Sequence, residues 1–228
     1  MTQPSEPVDV SELVVGIIGG TGPQGLGLAT RFAMAGLRVC VGSRDAGRAD
    51  QAAVGIRDAV PSAQMSGAAN DEVAAQSDIV VVAVPWDGHQ QTVRSLAPQL
   101  AGRIVVDCVN PLGFDKRGAY GLTVAEGSAA EQAQSLLPGS RVVGAFHHLP
   151  AALLADTNAD RVECDVLVVG DDRAATDTVQ ALADAAPGMR GIFAGRLRTA
   201  HTLEALTANI ISINRRYQVE AGLRVTDV

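Results

Sequence analysis

Residues 14–35, VVGIIGGTGPQGLGLATRFAMA, decide the fold, because an apolar run ends there in glycines and continues directly into a helical pattern. Gly20, Gly22 and Gly25 give the spacing G-x-G-x-x-G between the predicted strand and helix. The first glycine permits a tight turn, the second lets the backbone approach a pyrophosphate, and the third lets the helix pack on the strand. Unpaired N–H groups and the helix dipole then hold the anion. The stretch predicts a dinucleotide site; a glycine turn without a ligand is the alternative.

The composition is typical of a globular protein that does not bind polyanions. The chain has 228 residues, of which 47% are hydrophobic, enough for one large domain or a domain with a smaller appendage. Its formal charge of −7 argues against nucleic acid or a membrane surface as a partner, since both attract basic proteins. Residues 1–12 are polar and acidic, so we expect a disordered tail rather than a signal peptide.

The cysteines indicate a reducing compartment. Cys40, Cys108 and Cys164 are far apart in the sequence, odd in number, and each lies in an apolar stretch. No C-x-x-C pair occurs. We therefore expect buried, reduced thiols in a cytoplasmic protein.

Strands and helices alternate in the first part of the chain. After the glycine turn, the patterns predict strands at 37–42, 63–66, 79–84 and 103–108, and helices at 46–59, 70–76 and 87–100. We expect Asn70 and Asp87 to cap two of these helices and Pro98 to distort the last turn of one. Five strands joined by long crossovers specify an α/β fold with a doubly wound, mostly parallel Rossmann sheet. Ligands of such sheets bind at the carboxyl ends of the strands.

The second part of the chain is expected to extend the same sheet with a smaller α/β part. The interval 112–127 reads as an irregular functional loop, and Ser128 with Glu131 predicts a capping box for a helix to residue 137. Further strands are predicted at 141–145, 162–169 and 188–193, and helices at 172–185 and 199–219. We divide the chain into the tail, a dinucleotide-binding domain at 13–140, and a carboxyl-terminal part at 141–228.

The end of the second strand selects between the two nicotinamide dinucleotides. A cationic group there binds a 2′-phosphate, whereas a carboxylate binds a ribose hydroxyl. Ser43, Arg44 and Arg48 offer one hydroxyl and two guanidinium groups that could converge on one phosphate. This favours NADP. The alternative is that Asp45 binds the ribose, but its position after Arg44 is more typical of a helix cap or a partner of the arginines.

Five stretches in this order carry a resemblance to a known family: GGTGPQG (19–25), VGSRDAGRA (41–49), VPW (84–86), HHLPAA (147–152) and LEALTANIISINRR (203–216). They resemble the NADPH-dependent reductases of the deazaflavin coenzyme F420, and the likeness covers nearly the whole chain from about Val14. The resemblance implies an oxidoreductase that transfers a hydride between NADP(H) and F420 as co-substrate. It also implies a homodimer.

The resemblance implies roles for particular residues. The pyrophosphate turn is matched by Gly20, Thr21, Gly22, Pro23, Gln24 and Gly25, and the 2′-phosphate site by Ser43, Arg44 and Arg48. The nicotinamide half is matched by Pro85, Trp86, Gln90 and Ala151. The deazaflavin pocket is matched by His147, His148, Pro150, Ala151 and Ala205, the last of which stands where archaeal members have a serine.

The expected chemistry needs no catalytic acid–base pair. Hydride transfer between two planar rings depends on stacking them and excluding water, because the coenzymes carry the reactive carbons. His147 and His148 would point to opposite faces of a strand end, so we expect at most one to face the ligand and tune its charge. Trp86 could form a flat wall against a ring, or simply pack in the core. No carboxylate or cysteine lies at metal-ligand spacing, and we expect no metal site.

Other interpretations remain open from the residues. The same nucleotide half would serve an NADP-dependent reductase of a flavin or another small acceptor, or a non-catalytic NADP sensor. A set of basic residues is either a solvated surface or a source of cations for the anionic tail of a ligand. These residues are Lys116, Arg117, Arg196, Arg198, Arg215 and Arg216.

Overall fold

The computed structural model describes residues 8–228 and consists of an eight-stranded sheet, a separate two-stranded hairpin and surrounding helices. The strands are β1 (Val14–Ile18), β2 (Arg38–Ser43), β3 (Gln64–Ala69), β4 (Ile79–Val82), β5 (Ile104–Asp107), β6 (Leu112–Asp115), β7 (Gly118–Gly121), β8 (Arg141–Gly144), β9 (Cys164–Gly170) and β10 (Met189–Gly195). The helices are α1 (Pro23–Met34), α2 (Ala46–Ala59), α3 (Asn70–Gln76), α4 (Trp86–Ser95), α5 (Ala97–Leu100), α6 (Ala129–Leu136), α7 (Ala151–Ala155), α8 (Arg173–Ala185) and α9 (Ala200–Tyr217).

The sheet confirms the predicted doubly wound, mostly parallel fold. Its strand order is β10-β9-β8-β5-β4-β1-β2-β3, and the six strands from β8 to β3 are parallel. β9 pairs antiparallel with β8 and parallel with β10, so the carboxyl-terminal part extends the same sheet as expected. The chain order reverses between β1 and β4. The crevice for a ligand is therefore expected at the carboxyl ends of these two strands.

Apolar side chains cover both faces of the sheet. Ile17 and Val81 belong to one core cluster, which α1 and α8 cover, while Ile18 and Val82 belong to a second cluster beneath α4 and α6. All four residues of β4 are buried. This burial on both faces explains why β4 reads as an uninterrupted apolar run without polar alternation.

Two helix starts differ from the prediction. Asn70 and Asp87 each lie inside the first turn of a helix, and the residues before those helices, Ala69 and Pro85, make no side-chain cap. The predicted helix at 87–100 is divided into α4 and α5, with Pro98 in the first turn of α5. The expectation of a distortion at Pro98 is confirmed. The expected caps at Asn70 and Asp87 are wrong, because the helices begin earlier.

The interval 112–127 is not irregular throughout. Its first half forms the hairpin β6–β7, joined by a two-residue turn in which Asp115 Oδ1 accepts from the Arg117 N–H at 2.7 Å. β7 packs on α9: a Cβ built on Gly121 would lie 3.0 Å from the Cβ of Ala205. The hairpin therefore depends on a contact more than eighty residues away, which no local pattern shows.

The predicted amino-terminal tail is described only in part. Residues 1–7 lie outside the described residues. Val10 is buried, and the Glu12 side chain pairs with Arg38 on β2 at 2.9 Å. Across residues 8–228, none of the helices is both long enough and apolar enough to cross a bilayer. Cys40, Cys108 and Cys164 are buried free thiols, as expected.

A buried arginine joins α1 to the segment around α7. Arg31 is 2% exposed. Its Nε donates to the Leu154 carbonyl at 2.9 Å, and its two terminal nitrogens donate to three more carbonyls at 2.5 to 2.6 Å, those of Leu153, Asp156 and Ala159. Burial lowers the pKa of this guanidinium. The four bonds fix the end of α7 and thereby the position of its first residue, Ala151.

Replacing Arg31 with methionine is expected to lower the free energy of unfolding by about 3 kcal/mol, because carbonyls that it satisfies are left buried without donors. Urea denaturation of the variant and the parent protein measures the difference. Arg141→Met is the matched control, since Arg141 is exposed at the start of β8. Equal losses in the two variants would contradict the role assigned to Arg31.

Candidate active site

A cleft of about 470 Å³ lies where the carboxyl ends of β4 and β5 meet the glycine turn, the segment after β8 and one face of α9. It brings together eight of the residues predicted for the site: Gly22, Pro23, Gln24, Pro85, His147, His148, Pro150 and Ala151. The other predicted residues do not line it: Gly20, Thr21, Gly25, Ser43, Arg44, Arg48, Trp86, Gln90 and Ala205. Most of this second group lies in the turn and at the end of β2.

The glycines of the turn allow close approaches of the backbone that a side chain would block. A Cβ on Gly25 would lie 2.7 Å from the Gly20 Cα, so this glycine allows α1 to approach the turn. A Cβ on Gly22 would meet only the Gly19 carbonyl oxygen, at 3.4 Å, and Gly22 lines the cleft. α1 begins at Pro23 without a side-chain cap. Its first N–H groups are therefore available to an anion in the cleft.

The end of β2 lies beside this turn and carries cations. The Gly20 N–H donates to the Gly42 carbonyl at 2.9 Å, which couples the two segments. Asp45 Oδ1 accepts from the Gly47 and Arg48 N–H groups at 2.9 and 3.3 Å, so Asp45 caps α2, as its position indicated. The side chain of Arg44 is exposed. With Asp45 engaged by the helix, the charge of this corner favours a phosphate over a ribose hydroxyl.

The segment after β8 does not continue the strand. β8 ends at Gly144, and Phe146 has a φ of 64°, in the left-handed region that a buried phenylalanine rarely adopts. The assumption that His147 and His148 alternate on a strand is therefore wrong. Both histidines line the cleft, because the chain turns at Phe146.

Three side chains from distant parts of the chain hold this turn. Gln24 Nε2 donates to the Phe146 carbonyl at 3.0 Å. The His147 carbonyl accepts from Asn110 Nδ2 at 2.8 Å and from Thr207 Oγ1 at 3.0 Å. The glycine turn, the end of β5 and α9 thus meet at two consecutive peptide groups. These bonds compensate the cost of the left-handed residue.

The two histidines have different surroundings. His148 Nε2 donates to the Asp165 carbonyl at 2.7 Å, which fixes the ring on β9. Within residues 8–228, neither ring nitrogen of His147 has a hydrogen-bond partner, although the residue is 2% exposed. Burial lowers the pKa of His147 to about 4, so its imidazole is neutral near pH 7. A neutral ring in this position offers one donor and one acceptor to a ligand in the cleft.

A buried pair of polar side chains, His89 and Asp107, lies behind Trp86. The Trp86 ring stacks on His89 with centroids 5.5 Å apart. His89 Nε2 is 2.6 Å from Asp107 Oδ2, and Nδ1 is 3.0 Å from Gln132 Oε1, while the Gln132 amide nitrogen donates to Glu126. Both ring nitrogens of His89 therefore donate. Burial alone would lower the pKa of His89, yet the neighbouring Asp107 and Gln132 together raise it above its ordinary value.

Glu204 connects α9 to the start of α6. Its carboxylate accepts from the Ala129 and Ala130 N–H groups at 3.0 and 3.1 Å and so caps α6 from outside the helix. Ser128 also caps α6, through a hydrogen bond from the Glu131 N–H at 3.0 Å, as the sequence predicted. Glu204 is 3% exposed, and burial raises its pKa to about 7.

Comparison with known proteins identifies the family. Residues 14–111 match the family described as NADP oxidoreductase, coenzyme F420-dependent. The F420-dependent NADP reductase of Methanothermobacter thermautotrophicus is 37% identical over 97% of this chain and 98% of its own length. The chain belongs to this family. The F420-dependent NADP reductase of Methanocaldococcus jannaschii is 34% identical over 94% of this chain and 98% of its own length.

A solved structure agrees with the family assignment and with the fold. The crystal structure of a protein from Arthrobacter sp. FB24, described provisionally as an F420-dependent NADP reductase, superimposes with a TM-score of 0.76. The two sequences are 26% identical, and the match covers 94% of this chain and 99% of the other. The two proteins therefore share one architecture over nearly the whole length of both chains.

The structure adds residues to those assigned to the site from the sequence. Asn110 and Thr207 line the cleft and donate hydrogen bonds to the His147 carbonyl. Asn214 lines the cleft further along α9. Ala205 packs against Gly121 of β7 instead of lining the cleft. Thr207, two residues later, places a hydroxyl at the cleft. The helical spacing of Thr207 and Asn214 within the stretch 203–216 is the sequence signal for this face.

Glu204 makes the stability of the protein depend on pH in a defined window. Its pKa in the folded state, about 7, lies above the ordinary value of 4.5. Its contribution to stability is therefore fully present below about pH 4.5 and is lost as the pH rises through 7. From pH 4.5 to 8, we expect the free energy of unfolding of the parent to fall by about 3 kcal/mol relative to Glu204→Gln.

Urea denaturation at a series of pH values measures this difference. Glu72→Gln is the control, since Glu72 is exposed on α3. A difference between parent and Glu204→Gln that stays constant over the window would contradict the raised pKa.

Proposed function

We propose that this protein catalyses reversible hydride transfer between NADP(H) and coenzyme F420. The observation that carries the proposal is a single cleft that joins the glycine turn at Gly22 to the histidine segment at His147. The relatives that match nearly the whole chain are named for the same two coenzymes. One cleft with a dinucleotide turn on one wall and a buried, unsatisfied imidazole on the other suits the stacking of two rings.

The dinucleotide would extend from the end of β2 into the cleft. The pyrophosphate binds the N–H groups of the glycine turn, where Gly20, Thr21 and Gly25 shape the backbone and Gly22 faces the anion. The 2′-phosphate binds Ser43, Arg44 and Arg48. Ser43 is buried and the two arginines are exposed, which suits a phosphate held at the surface of the protein. The nicotinamide then reaches the mouth of the cleft beside Pro85 and Ala151.

The deazaflavin ring would lie between the histidine segment and α9. His147 and Pro150 contribute from one wall, and Thr207 contributes from the other. The neutral imidazole of His147 can form a hydrogen bond with a polar edge of the ring without a desolvated charge. Ala205 supports this wall indirectly, by packing α9 against β7. Trp86 and Gln90 lie one turn apart on α4, outside the lining of the cleft, and would approach the dinucleotide only from the nicotinamide side.

The protein contributes position rather than covalent chemistry. When bound, the coenzymes supply the hydride donor carbon and the acceptor carbon, and one proton from solvent balances the reduced deazaflavin. The residues of the cleft hold the two rings face to face and exclude water from the space between them. Because the turn at His147 is held by Gln24 and Asn110, the two ring sites keep a fixed separation.

The proposal includes a homodimer. Ile213 and Tyr217 lie one turn apart on α9 and are 39% and 70% exposed. Such residues are typical of surfaces that a second copy covers. Light scattering on the purified protein measures the assembly, and a monomeric mass would contradict this part of the proposal.

The proposed compartment is the cytoplasm. Its support is that Cys40, Cys108 and Cys164 are all buried free thiols, the state that a reducing compartment maintains. Burial also raises the pKa of the Cys108 thiol, so this residue stays protonated in the cleft.

The activity itself is tested by mixing the purified protein with NADPH and oxidised F420. We expect loss of the F420 absorbance together with oxidation of NADPH. Parallel assays with FMN and FAD test the other acceptors. Reduction of flavins alone, or tight NADPH binding without reduction of any acceptor, would overturn the proposal in favour of a flavin reductase or a sensor.

Arg44→Ala is expected to raise the KM for NADPH about tenfold and to leave the KM for NADH unchanged, because the guanidinium binds only the 2′-phosphate. Initial rates with each dinucleotide at a fixed F420 concentration give the comparison. Arg94→Ala is the matched control, since Arg94 is an exposed arginine in the last turn of α4, at the end of the helix away from Trp86. Equal effects on the two dinucleotides would contradict the 2′-phosphate site.

A further inference from the structure

A second pocket, of about 510 Å³, lies between the hairpin β6–β7 and α9. We call it the arginine pocket, because Arg117 of the hairpin turn and Arg215 and Arg216 of α9 line it. Phe114 and Ile211 supply apolar surface beside these side chains. Phe114 is 69% exposed, so most of its ring surface can contact a ligand in this pocket.

The arginine pocket adjoins the active-site cleft. Ile211 lines both. Arg215 follows Ile211 by one helical turn and thus lies on the same face of α9, about 6 Å along its axis. A ligand in the cleft can therefore reach the arginine pocket with a short flexible extension.

The charge of the arginine pocket is positive in a chain with a formal charge of −7. Among the described residues, no carboxylate lies within 4.0 Å of the guanidinium of Arg215 or Arg216. Arg117 is 3.6 Å from Asp115, which also lines the pocket and offsets one of the three charges. The exposed Lys116 adds a cation in the same turn. This local excess of cations favours an anionic ligand.

We propose that the arginine pocket binds the anionic side chain of the deazaflavin coenzyme, which carries a phosphodiester and several carboxylates beyond the ring. The inference rests on the proposed function, since it assumes that the ring occupies the cleft. Guanidinium groups match the geometry of phosphates and carboxylates, and Phe114 offers apolar contact to the linking atoms. The pocket thus determines specificity for the tailed coenzyme over its bare ring.

The test compares two acceptors that share one ring. The first is F420 with its full side chain, and the second is the same deazaflavin without the phosphate and the carboxylates. Initial rates with NADPH at low ionic strength are measured for the parent protein and for Arg215→Ala, Arg216→Ala and the double variant. Arg94→Ala controls for the loss of one exposed positive charge, and circular dichroism confirms that each variant is folded.

We expect the KM for the tailed coenzyme to rise about twofold to fivefold for each arginine removed, as is typical of exposed ion pairs. The KM for the tail-less acceptor should change much less. The preference of the parent for the tailed coenzyme should decline at high salt, because screening weakens exposed contacts.

Two results would overturn the inference alone: a parent protein without preference for the tailed coenzyme, or variants in which the KM values of both acceptors change equally. Reduction of neither acceptor by the parent would instead refute the proposed function, and the inference with it. The two failures are thus distinguishable.

Discussion

The cleft depends on three hydrogen bonds to two consecutive carbonyl groups, those of Phe146 and His147. The donors are the side chains of Gln24, Asn110 and Thr207. Each of the three comes from a different part of the fold: the start of α1, the end of β5 and the middle of α9. Phe146 is held with a positive φ, a conformation that costs free energy and persists only where the surroundings impose it. As a result, both histidines line the cleft, and the buried imidazole of His147 has no hydrogen-bond partner within the described part of the chain. Such unused groups are typical of sites that a ligand completes.

The features that could be predicted from the sequence are those determined by neighbouring residues. The glycine turn, the apolar run of β4 and the Ser128 cap each follow from a few adjacent residues, and the structure confirms them. Prediction failed where partners are distant. The pairing of His89 with Asp107 spans eighteen residues, and the support of His147 by Thr207 spans sixty. The turn at Phe146 could not be predicted either, because the intrinsic preference of phenylalanine opposes it.

The polar groups behind Trp86 illustrate how a site can be stiffened at a cost to stability. His89 and Asp107 are both fully buried, and a buried polar pair seldom stabilises a protein as well as apolar packing would. The pair is nevertheless completely hydrogen-bonded, with Gln132 on one side and the Val109 N–H on the other. A fully satisfied network of this kind holds the Trp86 ring in one orientation. Trp86 is half-buried against the core and remains a candidate wall for the nicotinamide.

The position of β8 has a consequence for how the protein is made. β8 pairs with β5 along one side and with β9 along the other, although β5 precedes it by more than thirty residues. A nascent chain released from the ribosome before residue 141 would leave the apolar edge of β5 without a neighbour. Bare edges of this kind recruit strands from other molecules. We therefore expect the amino-terminal half to be prone to aggregation as an isolated fragment until β8 covers this edge.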